Sequence, residues 1–168
     1  MIPSSLLLPY RDVNVPAPPQ FTPAENVEWA KWESNVISMQ PDGRTFSQKL
    51  GVRYERQVQS YLAARFAGDY YNNPWFTFRD QTGIRRCRPD GLLLSGGRAI
   101  LFEIKIRHVP DAWWQLRKLY SPVLKIAMPD REVRVLEVVK EFDPATPFPE
   151  RPRVLEKLDD IWTAKEFP

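Results

Sequence analysis

The 168-residue sequence has one cysteine, Cys87, and one histidine, His108. A single thiol excludes a disulfide framework within the chain and fits a reducing compartment. With only one imidazole beside it, a zinc site built from His and Cys of one chain is excluded as well. No window is long and apolar enough to span a membrane. The start, MIPSSLLLPYRDV, lacks the basic residues and the apolar length of a signal peptide. These absences predict a soluble, intracellular protein with no membrane partner: cytoplasmic, or virion-associated if the chain is viral. Charge of one sign does not dominate either. A net charge of +3 admits a polyanion partner without demonstrating one.

Proline, in contrast, is abundant. Of the 17 prolines, six cluster before residue 24 and four from Pro144 to Pro152. Proline lacks the backbone donor and restricts the residue before it, so VNVPAPPQF cannot be helical. The sequence as a whole is 43% hydrophobic, enough to give a chain of this length one real core. The expected organisation is an extended arm over 1–22, a compact domain over 23–142, and a Pro-rich tail over 143–168. The arms either hang free or pack on the domain or on a neighbour, which leaves a homo-oligomer or larger assembly open.

Within the domain, Thr22-Pro23-Ala24-Glu25 has the form of a helix start, and a helix to about Ser38 is expected. A second helix runs from about Ser47 to Gly68, because Leu50, Tyr54, Val58, Leu62 and Phe66 recur at every fourth position. Gly51 lies one turn before Glu55 at the border of that stripe, and a mid-helix glycine suggests that space is needed there. Trp75–Phe78 reads as a strand and Asp80–Gly83 as a turn. A third helix starts at Pro110-Asp111 and runs past Pro122, with a kink, toward Ala127. Glu132–Val139 reads as a strand, and Leu155, Leu158, Ile161 and Trp162 predict a short C-terminal helix.

The chemistry concentrates in RPDGLLLSGGRAILFEIKIRH, residues 88–108. Gly96-Gly97 is a preferred two-residue hairpin loop. With that loop, Ser95 faces Arg98, Leu93 faces Ile100, and Asp90 faces Glu103. Strand periodicity then puts Ile100, Phe102, Ile104 and Ile106 on one side, and Leu101, Glu103, Lys105 and Arg107 on the other. Two facing carboxylates repel unless a cation lies between them. Carboxylate oxygens suit Mg²⁺ or Mn²⁺, and Lys105 stands close enough to position or deprotonate a water or to steady a negative charge. The structural alternative is a solvated sheet face with a cross-strand ion pair.

These residues resemble the PD-(D/E)XK nuclease superfamily. Its Pro-Asp matches Pro89-Asp90, and its acid-x-Lys matches Glu103-Ile104-Lys105, with twelve residues between the two acids. The RecB-like and junction-resolvase-like branch adds Gly-x-x-x-Glu, matched by Gly51–Glu55, and a Gln and a Tyr in the helix after the lysine strand. Gln115 takes the first place; Tyr120 follows after five residues where the pattern has four. The resemblance covers residues 45–140 and implies an α/β fold: a restriction-endonuclease-like αβββαβ core with a mixed central sheet. It implies Mg²⁺- or Mn²⁺-dependent hydrolysis of DNA phosphodiester bonds. Asp90, Glu103 and the Ile104 carbonyl would hold the metal, Glu55 would support it, Lys105 would orient the water, and Gln115 would touch the site or the phosphate backbone.

Nucleic acid, DNA first, is the expected partner, with Arg85, Arg86, Arg88, Arg107, Arg117 and Lys118 as phosphate contacts and Trp113 or Trp114 as a stacking platform. Those charges could equally cap strand ends, and the tryptophans could pack. His108 is expected in a loop. The rival function is a non-enzymatic component of a viral or nucleoprotein assembly built on the same fold.

Overall fold

Gly96 and Gly97 adopt φ of 55° and 76°, the left-handed conformations that a tight two-residue hairpin loop requires. They join β5 (Gly91–Ser95) to β6 (Arg98–Lys105) with Ser95 opposite Arg98, Leu93 opposite Ile100 and Gly91 opposite Phe102, as the loop chemistry predicts. The computed structural model describes residues 21–33, 46–140, 153–158 and 161–166. The proline-rich segments 1–20 and 143–152 lie outside the described residues.

β6 is a central strand and is buried on both faces. Leu101 and Ala99 face a core with Leu116, Leu119, Tyr120, Val123 and Leu124. Phe102 and Ile104 face a second core with Tyr54, Val58 and Leu62 of α1 (Phe46–Arg65). The structural alternative of a solvated sheet face does not hold, because both faces of β6 are covered.

The strand β7 (Glu132–Val139) lies parallel to β6. Parallel neighbours need a crossover, and a continuous helical run supplies it. That run comprises α2 (Pro110–Gln115), a π turn (Leu116–Tyr120) and α3 (Ser121–Ala127). In the π turn the Ser121 N–H reaches five residues back to the Leu116 carbonyl. Pro122 has no N–H to give and its ring crowds the carbonyl four residues earlier, so a widened turn relieves the conflict expected as a kink.

The strand β2 (Tyr70–Asn72) pairs with β5, giving a six-stranded mixed sheet in the order β2, β5, β6, β7, β8 (Arg153–Leu158), β9 (Ile161–Glu166). A separate antiparallel sheet of three strands has β3 (Trp75–Asp80) between β1 (Trp29–Glu33) and β4 (Gly83–Cys87). The class is mixed α/β. No helix among the described residues is long and apolar enough to cross a membrane.

Two expected helices are strands. Where the capping pattern predicts helix through Ser38, residues 29–33 pair with β3, and residues 34–38 lie outside the described residues. Trp32 stacks on Phe76 and meets Tyr71 edge-on, and Glu33 accepts a 2.8 Å bond from the Thr77 hydroxyl. The free edge of β3 outweighs a local helix start. Likewise β8 and β9 form an antiparallel pair on the outer edge of β7 instead of a C-terminal helix. β2 and β4 are further strands without a sequence expectation, and β3 belongs to the smaller sheet.

Candidate active site

Asp90 stands just before β5 and extends its ladder, with its N–H bonded to the Phe102 carbonyl at 3.1 Å. Its carboxylate Oδ2 accepts the Ile104 N–H at 2.7 Å, which draws it alongside Glu103 as the predicted register requires. Glu103 itself is buried in β6 at 2% exposure. Its Oε1 meets Lys105 Nζ at 2.7 Å, while its Oε2 is buried with no hydrogen-bond partner among the described residues. A charged strand residue in this environment is not a solvated-face acid.

Glu55 reaches the same end of the sheet from α1, although that helix covers the opposite face. Gln59, one turn further on and buried, donates its Nε2 to Glu55 Oε1 at 3.1 Å and to the Asp90 carbonyl at 2.9 Å. It ties the helix acid to the strand acid. A Cβ added at Gly51 would meet no atom within 4 Å, so the glycine borders open space and makes no close contact with a protein atom.

The charges confirm that the three acids share one environment. Burial first, then the Asp90 charge, pushes the Glu103 carboxyl up to about 8. Burial and Asp90 likewise raise Glu55, and burial raises Asp90. Lys105 opposes all three. Burial disfavours its own charge, but Glu103 and Asp90 outweigh that and hold the ammonium more firmly protonated than usual. Held so, the ammonium is a hydrogen-bond donor and a positive charge beside the acids.

The donor set is hard carboxylate oxygen, gathers three acids beside one lysine, and leaves Glu103 Oε2 unpartnered among the described residues. It fits Mg²⁺ or Mn²⁺. No group of three or more His, Cys, Asp or Glu side chains is drawn into a ready-made metal cage among the described residues. The acids are neighbours, with Lys105 held against Glu103.

Two tyrosines join the cluster. Tyr120 is buried, and its hydroxyl donates to the Arg88 carbonyl at 3.3 Å, within the field of Glu103 and Asp90. The π turn adds one residue to its helix, which offsets the five-residue spacing from Gln115. Gln115 itself ends α2 half-buried, and no hydrogen bond joins it to the acids among the described residues. Tyr70 lies on the α1 side, near Asp90 and Glu55. Gln59 sits one helical turn beyond Glu55, a spacing visible in the sequence, whereas Tyr70 is brought in only by the β2–β5 pairing.

The expected phosphate contacts divide. Arg85 is held within the protein: it pairs with Asp80, donates to the Thr22 and Pro23 carbonyls at 2.9 and 2.7 Å, and covers the Phe78 ring. Its guanidinium is thus engaged by the chain itself, where a phosphate contact was expected. Arg88 lies over Trp75, 5.2 Å from its centroid, and acts on Asp90 and Glu55. Arg86 and Arg107 are exposed. Arg117 and Lys118 are exposed over Trp113 and Trp114, and with Lys125 and Arg134 they line an open groove of about 560 Å³. His108 is in the β6–α2 loop as expected, with Nδ1 2.7 Å from Glu137, a fully buried carboxylate beside Glu103 in the β6–β7 pairing. Comparison with protein-family models, with curated proteins and with solved structures gives no match at all.

Proposed function

We propose that this protein is a metal-dependent nuclease that hydrolyses phosphodiester bonds of DNA, on a core of restriction-endonuclease-like arrangement. The observation that carries the proposal is Glu103: a buried strand carboxylate with one oxygen on Lys105 and the other unpartnered among the described residues, in the field of a second acid held alongside it. A protein with only stability at stake has little reason to bury that arrangement.

Asp90, Glu103 and the Ile104 carbonyl would hold Mg²⁺ or Mn²⁺, with Glu55 supporting. A bound cation would supply positive charge against the phosphate oxygens and would make an attacking water more acidic. The protein's own groups do the rest. The Ile104 N–H and the Gln59 amide keep Asp90 and Glu55 in place. Lys105 has one N–H on Glu103 and further donors to orient water or to stabilise the growing negative charge. Arg88 adds positive charge beside Asp90 and Glu55. Arg117 and Lys118, with the tryptophans beneath them, offer the nucleic acid a basic, stackable track.

The test is purified protein with Mg²⁺ or Mn²⁺ on labelled single-stranded, duplex and branched DNA and on RNA, beside Lys105→Ala. Cleavage that needs the cation and falls by about 10²–10³-fold or more in the variant supports the proposal. Cation-independent activity, or an undiminished Lys105→Ala, overturns it. Binding without cleavage favours a non-enzymatic assembly component.

A further inference from the structure

The three-stranded sheet has one face in the core and one in solvent. Phe76, Phe78 and Cys87 are buried on the inner face, with Ala30 and Trp32 packed against that core. Residues directly opposite one another on paired strands share a face. Trp29, Arg79 and Ile84 therefore form one row across the outer face, and Lys31, Thr77 and Arg86 form the next. Trp75, opposite Glu33, stands in a third.

This outer face is both apolar and positive. Trp29 and Ile84 stand open to solvent, at 41% and 60% exposure. Lys31, Arg79 and Arg86 are exposed among them, and none forms an ion pair among the described residues. The acid on this face, Glu33, is engaged by the Thr77 hydroxyl. Trp29 and Trp75 lie about 13 Å apart along the strands, with Lys31 and Arg86 in the row between them. The Trp75 end leads to the acids. Asn73, just before β3, donates its N–H to the Asp90 carbonyl at 3.1 Å, and β4 ends at Cys87, shortly before Asp90.

We infer that the outer face of the three-stranded sheet binds single-stranded DNA on its way to the acidic site: Trp29 stacks on an unpaired base, and Lys31, Arg79 and Arg86 hold the phosphates. The inference rests on the nuclease reading proposed above and names its substrate class. Cations attract the phosphates of any nucleic acid, whereas an open indole is matched by a base outside the duplex. Duplex DNA keeps its bases stacked on one another and meets only the cations.

The experiment is fluorescence anisotropy in EDTA, with labelled oligothymidylate and a duplex of equal length. It compares wild type, Trp29→Ala and Lys31→Ala/Arg79→Ala, with thermal melting of each. Wild type is expected to prefer the single strand. Trp29→Ala should bind it about 5- to 150-fold more weakly and bind the duplex as before. Lys31→Ala/Arg79→Ala should reduce the slope of log K against log salt by about 1.4. A preference for duplex, or wild-type affinity and slope in both variants, overturns the inference. If Trp29→Ala melts lower, the doubly substituted variant, altered only at exposed positions, decides. Cleavage of the same strand with Mg²⁺ separates the two readings. Cleavage by wild type with unaltered binding in the variants overturns the sheet face alone; binding as expected without cleavage overturns the nuclease reading and leaves the face a binding platform.

Discussion

Asp80 and Glu103 are both strand acids with almost no exposure, and they behave in opposite ways. Asp80 closes the β3–β4 hairpin. Burial opposes its charge, but hydrogen bonds from Arg85 and Thr82 more than offset this and hold its carboxyl at about 2. Glu103 is buried, next to another carboxylate, with an unpartnered oxygen, and sits at about 8. The first acid is completed by its own chain and stabilises the fold. The second is left with an unpartnered oxygen by its own chain, as the proposed cation site requires.

The contrast can be broken most severely at Glu103. Glu103→Gln should abolish cation-dependent cleavage, a loss of about 10²-fold or more, while stabilising the metal-free protein above neutral pH. The sign follows from linkage. With its folded pKa raised above the ordinary 4.5, Glu103 binds its proton more tightly when folded, so metal-free stability falls as pH rises toward about 8. Melting curves at pH 5 and pH 8, with and without Mg²⁺, should show a fall that Mg²⁺ or Glu103→Gln largely removes. A flat profile would place Glu103 in a balanced environment.

The reverse applies to Asp80, whose contribution is present above its ordinary 3.8 and lost as pH falls toward about 2. Asp80→Ala leaves Arg85 without its carboxylate and should cost about 3 kcal/mol in denaturant unfolding, with Mn²⁺ affinity unchanged. A comparable loss of Mn²⁺ affinity would merge the two regions into one. The smallest effect is expected on the surface: Arg117→Ala or Lys118→Ala should weaken DNA binding modestly and reduce the slope of log K against log salt by about one. An unchanged slope in both would remove the groove from the DNA path.

The site was more legible in the sequence than the fold around it. Gly96-Gly97 and strand alternation together place Asp90 beside Glu103, because a hairpin loop transmits its register over several residues. The α1 stripe is also read correctly at Tyr54, Val58 and Leu62, though Leu50 is exposed at 43%. Residues 29–33, 153–158 and 161–166 deceive, since their conformation depends on strand edges supplied by other parts of the chain. Arg85 resembles a phosphate contact by its neighbours in sequence and is an internal partner by its neighbours in space.

The sequence alone determined the hairpin register, the long helix and the acids that line up with Lys105, since local turn chemistry and periodicity encode each of them. Only the tertiary structure decided that both faces of β6 are covered, that Gln59 ties Glu55 to Asp90, and that Asp80 is satisfied while Glu103 is not. Burial and electrostatic balance are sums over distant neighbours, and no short stretch of chain carries that sum.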